Sequence, residues 1–349
     1  MRYVMGRFTT AMLIVVMISA LPAALALSEH GTVAGAILPF TGAQSDIASE
    51  EKNATELAQE DARGNISIAY RDSAGLVPDA VNALQELVEK ENASVVIICA
   101  SWISNAIHPL AAERGLVQLS IASATLNRSG KSRDIVFTVS AEEEAKVLLA
   151  FLQNRSRVAI ISMDNDYGRD WTRVLEAGLG SRLKASEKYN LSQTSYSDEL
   201  TRIKAAEPDA LVLLSSREGS AIARQAREMG IQSQLVSTRP IERPEILSEP
   251  AMEGLVYTSP SFNASHPFVA RYRERYGQEP TIFGAEAYDA VMMLALAADA
   301  CGGNSDCIYQ WYLGRNYSGA LGEVRFDESG WAHYPVVLKK VRGGKIIVH

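Results

Sequence analysis

Four short segments carry side chains suited to binding chemistry, and each follows an apolar run with the character of a strand. Ser101-Trp102-Ile103-Ser104 comes after Val95–Cys99. Small hydroxyl residues and free backbone N–H groups at the start of a helix make an anion site suited to a carboxylate. Ser123-Ala124-Thr125 comes after residues 116–121 and forms a second hydroxyl-rich corner. Asp164-Asn165-Asp166-Tyr167-Gly168 comes after Val158–Met163 and presents an aromatic ring just ahead of a helix. Ser237-Thr238-Arg239-Pro240 ends the run at 235–236 and presents a guanidinium, which pairs bidentately with carboxylate. Singly, each corner has an ordinary explanation, because Ser, Thr and Asp cap helices and Tyr-Gly opens turns.

What these corners share is their place in an alternation of strand and helix. The pattern predicts strands at 32–39, 66–70, Val95–Cys99, 116–121, 135–139, Val158–Met163, Leu183–Tyr189, Ala210–Leu214 and 235–238. Helices fall between them at 49–63, 78–90, 105–114, 142–153, 171–179, 197–206 and 220–229. In the helix at 78–90, Val81, Leu84, Leu87 and Val88 make one apolar stripe and Pro78 suits the first turn. Strands separated by helices require crossover connections, hence α/β architecture with parallel sheets covered on both faces. Ligands of such sheets gather beyond the carboxyl ends of the strands, where the four corners lie. Near the C-terminus, 323–326, 336–341 and 345–348 alternate as strands, the last two joined by a Gly343-Gly344 turn.

Composition narrows the function classes. With 349 residues, 47% hydrophobic and 21% charged, the chain is long enough for two packed lobes and a cleft between them. Its formal charge of −7 and the lack of a Lys/Arg-rich run exclude nucleic acid and anionic membrane as partners. His30, His108, His266, His333 and His349 show no metal-ligand spacing, no G-x-S-x-G or H-E-x-x-H occurs, and Gly178-Leu179-Gly180 lacks the third glycine of a dinucleotide fingerprint. No enzyme activity, metal or cofactor is expected.

The N-terminus reads as an export leader. Arg2 and Arg7 precede an apolar run at 11–18, and Ala24-Leu25-Ala26 supplies a small-x-small cleavage pattern, so residues 1–26 form the signal peptide; an uncleaved anchor is the alternative. The apolar run at 290–298, bracketed by Asp289 and Asp299, suits a buried helix. In an oxidising compartment Cys301 and Cys307, six apart, could close a small disulfide, while Cys99 reads as a buried thiol. Asn-x-Ser/Thr sequons stand at Asn53, Asn65, Asn92, Asn127, Asn154, Asn190, Asn263 and Asn316.

Gly35-Ala36-Ile37-Leu38-Pro39-Phe40-Thr41-Gly42, Asn53-Ala54-Thr55-Glu56-Leu57-Ala58, the Ser101 corner, Ser123-Ala124-Thr125, Asp166-Tyr167-Gly168 and Ala287-Tyr288-Asp289-Ala290, in this order, resemble the Leu/Ile/Val-binding protein family. That family comprises the type I periplasmic solute receptors of branched-chain amino acid ABC transporters and their amide- and urea-binding relatives. The resemblance spans about 32–347. It implies two discontinuous doubly wound α/β lobes with a hinge of three crossing segments: 31–141 plus 263–322 for the N-terminal lobe, and 142–262 plus 323–349 for the C-terminal lobe. It also implies that Ser101 and Thr125 hold a ligand carboxylate, that Ser123 and Thr125 hold an ammonium, that Tyr167 closes over the ligand, and that Phe283 lines the side-chain pocket.

Two departures from the family bear on the ligand. The second-lobe acid that holds an ammonium falls at Arg239, with Glu242 three residues on. A guanidinium repels an ammonium and pairs with carboxylate. Either Arg239 faces the cleft and the ligand carries a further anionic or carbonyl-rich group, or the alignment shifts and Glu242 takes the acid's role. Ile47 stands where an aromatic ring is common, and Trp102 follows Ser101 where the family has a small residue; its ring is placed in the cleft. The resemblance therefore implies an exported receptor, expected to be monomeric, that captures a small carboxylate-bearing amino acid or organic acid by hinge closure and delivers it to a membrane ABC permease. A sensing module of a signalling receptor and an amide- or urea-type binder are the alternatives.

Overall fold

The alternation of strands and helices builds two sheets, each with its own core. A computed structural model describes residues 31–62, 66–121 and 132–349; the signal peptide assigned to 1–26, and Ser123 and Thr125, lie outside the described residues. Strands β1 (Thr32–Leu38), β2 (Ile66–Asp72), β3 (Val95–Cys99), β4 (Val117–Ile121) and β5 (Asp134–Val136) form a sheet in the order β2-β1-β3-β4-β5, with every pair parallel. Helices α1 (Ser45–Asp61), α2 (Val77–Glu91) and α3 (Ser101–Glu113) make the crossovers. All five residues of β3 are buried, as its uninterrupted apolar run requires of a strand covered on both faces.

After α4 (Ala141–Phe151) the chain builds a second sheet from β6 (Val158–Met163), β7 (Leu183–Tyr189), β8 (Ala210–Leu214), β9 (Gln234–Thr238) and β10 (Val256–Pro260), all parallel, connected through α5 (Asp166–Leu179), α6 (Ser197–Ala205), α7 (Gly219–Glu228) and the short α8 (Pro244–Leu247). It then returns to the first lobe as α9 (Pro267–Tyr276), α10 (Ile282–Cys301) and α11 (Ser305–Tyr312). α10 packs along α1 with most of its residues buried. Cys301 and Cys307 are disulfide-bonded across the α10–α11 turn, and Cys99 is a buried free thiol. Three antiparallel strands, β11 (Asn316–Gly319), β12 (Gly322–Phe326) and β13 (Ala332–His333), follow. Finally β14 (Val336–Arg342) and β15 (Lys345–Val348) add an antiparallel edge to the second sheet, giving β15-β14-β10-β9-β8-β6-β7 among the described residues.

Two separate apolar clusters fill the lobes. They correct one boundary. Residues 323–334, placed by the sequence in the C-terminal lobe, pack in the first core: Val324, Phe326, Ala332 and Tyr334 all belong to it. Phe326 meets Phe137 edge-on at 5.0 Å and Tyr312 at 5.5 Å. Alternation alone predicts a strand, but not which sheet receives its apolar face.

Three segments cross between the lobes: Phe137 to Ser140, Ser261 to Phe262, and Tyr334 to Pro335. They are tied to one another. The Tyr334 hydroxyl donates to the Phe137 carbonyl (2.9 Å), the Ser261 N–H to the Pro335 carbonyl (2.8 Å), and the Trp331 indole N–H to the Thr138 carbonyl (2.7 Å). Among the described residues no helix is long and apolar enough to cross a membrane.

Candidate ligand-binding cleft

The carboxyl ends of β3 in the first lobe and of β6 and β9 in the second open onto one small cavity of about 30 Å³. Gln44, Ile47, Cys99, Ala100, Ser101, Trp102 and Phe283 line it from the first lobe; Met163, Tyr167, Ser216, Arg239 and Pro240 line it from the second. A neighbouring cavity of about 170 Å³ leads outward past Gly75, Leu76 and Leu191. Trp102 borders both, so its ring is a partition, and its indole N–H donates to the Gly75 carbonyl at 3.0 Å. Five of the side chains singled out in the sequence therefore converge: Ser101, Trp102, Tyr167, Arg239 and Phe283.

The first-lobe wall presents a helix start and a hydroxyl to the cavity. α3 begins at Ser101 itself, four residues earlier than apolar periodicity predicts, because Ser101 and Trp102, its first two residues, line the cleft. The preceding Ala100 has φ 77°, a conformation L-residues rarely adopt, and costs on the order of 1–3 kcal/mol. That strain turns the chain sharply from β3 into α3 and puts the first N–H groups of the helix at the cavity. Ser101 is buried and its Oγ has no partner among the described residues. A buried hydroxyl left unpaired costs free energy that a bound acceptor would recover.

The second-lobe wall is positioned by tighter packing. α5 begins at Asp166, where Asn165 caps it by accepting the Gly168 N–H at 3.0 Å. Gly168 is required, since a Cβ there would stand 1.9 Å from the Met163 carbonyl oxygen. This close approach sets Tyr167 against the cavity, with its hydroxyl sharing a 2.7 Å hydrogen bond with Thr238 Oγ1. Burial pushes the Tyr167 phenol far above its ordinary value, so it stays protonated.

Arg239 lies on the cavity floor, but its charge is already shared. Its Nη1 donates to Glu286 Oε1 at 3.0 Å, across the lobe boundary, and both side chains are buried. Glu286 also accepts from the hinge residues Tyr334 and Thr138. Burial alone would lower the Arg239 pKa, yet Glu286 and Glu144 hold it above its usual value. Arg239 Nη2 has no partner among the described residues. Glu144, which accepts from Thr258 Oγ1 at 2.6 Å, is pushed up to about 7 by burial despite the nearby guanidinium. Glu242 does not line the cavity; Lys339 Nζ donates to it at 2.6 Å.

The sequence reading did not single out Glu286, Gln44, Met163 or Ser216. Glu286 had a visible signal: it and Asp289 are the charged residues inside an otherwise apolar stretch of α10, and a buried carboxylate needs a partner. Asp289 has a structural one, accepting the Ala320 and Leu321 N–H groups at 2.9 and 2.8 Å. At the cleft rim Asp46 of α1 pairs with Arg243 and, at 3.5 Å, with Arg217, while Asn105 donates to Asp166 at 2.9 Å. The lobes thus touch directly. Among the described residues no cluster of His, Cys, Asp and Glu could hold a metal ion.

Residues 33–344 match the family model described as periplasmic binding protein. No curated protein matches the chain. Among solved structures, an extracellular ligand binding receptor from Desulfohalobium retbaense is similar at 42% identity and a TM-score of 0.87, over 91% of this chain and 59% of that one, so the chain spans about three-fifths of that relative's length. The leucine binding protein LivK from Thermotoga maritima is similar at 25% identity and a TM-score of 0.85, over 91% of this chain and 97% of that one. A solute binding protein of an ABC transporter from Rhodopseudomonas palustris, in complex with 3,4-dihydroxybenzoic acid, shares the fold at 19% identity and a TM-score of 0.80, over 92% of this chain and 97% of that one.

Proposed function

We propose, from the premise that the chain belongs to the type I periplasmic binding protein family, that this extracytoplasmic solute-binding protein, which is not an enzyme, captures a small carboxylate-bearing solute and hands it to an ABC permease. The observation that carries this reading is the lining of the inner cavity: among the described residues it holds one cation, Arg239, and no carboxylate. Ser101 Oγ from one lobe and Arg239 Nη2 from the other are buried donors in need of an acceptor, and the start of α3 adds backbone N–H groups. Ile47, Trp102, Met163, Tyr167 and Phe283 offer the rest of the ligand an apolar and aromatic enclosure.

This lining favours an acid without an amino group. Glu286 is engaged by Arg239, Tyr334 and Thr138, and Glu242 by Lys339, so neither carboxylate is at hand for an ammonium. The aromatic acid in the Rhodopseudomonas palustris neighbour is a ligand of this kind. A branched-chain amino acid is the second reading, supported by likeness to the leucine binding protein. The roles of Ser123 and Thr125 as further ligand contacts, and a lobe division of 31–141 plus 263–334 against 142–262 plus 335–349, belong to the same proposal.

Capture follows from the two-walled site. A ligand held by both Ser101 and Arg239 binds the closed form better than the open one and shifts the population accordingly. A thermal-shift panel of benzoate, 3,4-dihydroxybenzoate, leucine and glutamate, each beside its uncharged amide, tests the proposal. A rise in Tm with an acid but not with its amide is the expected outcome. Equal shifts by acid and amide would remove the carboxylate from the account.

A further inference from the structure

Eight of the chain's 12 asparagines are followed two positions later by Ser or Thr, with a residue other than proline between. Ser and Thr together occupy 46 of 349 positions, so roughly one or two such placements would arise by chance. Neither the fold nor the cleft calls for this excess.

Its placement is selective. Six of the eight asparagines lie in described residues, and five of these are exposed in turns, loop segments or an edge strand. Asn92 is the left-handed cap of α2 (φ 55°), and Asn154 ends the turn before β6. Asn190 follows β7 and accepts both the N–H and the Oγ of its own Ser192, at 3.3 and 3.2 Å. Asn263 lies between β10 and α9, and Asn316 opens the edge strand β11. Ser156, Ser192, Ser265 and Ser318 are exposed with them. Asn53 supplies the contrast: it sits inside α1, half-buried, and Thr55 is fully buried, bonded to the Lys52 carbonyl and the Tyr70 hydroxyl. The exposed asparagines that lack the following hydroxyl, Asn82 and Asn304, belong to helix α2 and the cap of α11.

We infer that Asn92, Asn154, Asn190, Asn263 and Asn316 are acceptor sites for N-linked glycans. The donor class is a glycan joined through its anomeric carbon to a phosphate or diphosphate on a membrane lipid. The Asn Nδ2 forms a bond to that carbon, the carbon–oxygen bond to the phosphate breaks, and the phosphate leaves with the electron pair. One amide proton passes to a base of the transferase, and nothing is oxidised or reduced. The extracytoplasmic location gives such a transferase access. None of the five asparagines lines either cavity, and Asn92 and Asn154 precede β3 and β6, at the ends of the sheets away from the cleft, so glycans there leave ligand entry open.

The test is tandem mass spectrometry of peptides from the protein purified from the cells that encode it. Peptides carrying the five exposed sequons are expected to bear a common glycan mass, while those of Asn53, Asn82 and Asn304 keep their unmodified mass. In Ser192→Ala, made in the same cells, modification at Asn190 should fall more than tenfold with the other sites unchanged. Unmodified masses at all five asparagines, glycan on Asn82 or Asn304, or an Asn190 modification that survives Ser192→Ala would overturn the inference.

Discussion

Floor and rim of the cleft both join the lobes through Arg–carboxylate pairs, in different surroundings. On the floor, the Arg239 and Glu286 side chains are 2% and 0% exposed. At the rim, Asp46 and Arg217 are 27% and 48% exposed. The floor pair is shielded from salt and water, so each charge depends on the other; the Asp46–Arg217 pair at the rim is screened and weak, although Asp46 also faces the largely buried Arg243. Removing one member of the floor pair is therefore the costly change, and losing the exposed rim pair the cheap one. In the proposed reading, the floor's contribution to the ligand is Arg239 Nη2, the donor that Glu286 leaves over.

The largest effect should come from breaking the floor pair. Arg239→Met leaves Glu286 buried without its cation and is expected to cost about 3–5 kcal/mol in urea unfolding. Adding Glu286→Gln in the same chain should recover much of that loss, and an unchanged midpoint in the single variant would erase the distinction between floor and rim. Next in size is Ser101→Ala. Its hydroxyl has no partner among the described residues, so stability should hardly change, whereas losing a hydrogen bond to a charged ligand group costs about 1.5–3 kcal/mol, or roughly 10–150-fold in Kd. Calorimetry on the acid found by thermal shift measures this directly.

A pH series separates the regions further. Burial pushes Glu144 on the floor, and Glu50 and Asp289 in the first lobe, up to about 7, so the folded state holds protons there that the unfolded chain releases near pH 4.5 or below. Stability from these groups is fully present below that range and is lost as pH rises to about 7. Asp72, Asp209 and Asp327 are held below the ordinary carboxylate range by hydrogen bonds that outweigh their burial, and their contribution is lost in stronger acid. Tm should peak near pH 5 and decline toward pH 8, with a shallower decline in Glu144→Gln. The smallest effect belongs to the rim: Arg217→Gln, which removes the exposed partner of Asp46, should cost no more than about 1 kcal/mol and reduce the salt dependence of closure seen by small-angle scattering.

Much of the fold was legible because buried parallel strands are apolar runs. Val95–Cys99, Val158–Met163 and Ala210–Leu214 coincide with β3, β6 and β8, whereas Leu183–Tyr189, which coincides with β7, is a half-exposed edge strand. Helix starts were less legible where they matter most. α3 and α5 begin four and five residues before the predicted positions, because Ser101, Trp102, Asp166 and Tyr167 lie in first turns at the cleft, where the apolar period that marks a core-facing helix has not yet begun. The corner residues themselves could be found, since strand ends are where such sheets bind. Their partners could not: Glu286 lies 47 residues from Arg239, and only the folded chain brings α10 to the end of β9.

The proposed ligand of the inner cavity is a carboxylate without an amino group. Calorimetric titration of ligand-stripped protein with 3,4-dihydroxybenzoate and, separately, with leucine tests it most directly. Saturable binding of the acid, competed by benzoate, and no measurable heat from leucine are the expected results. Saturable leucine binding, with no response to either aromatic acid, would contradict it.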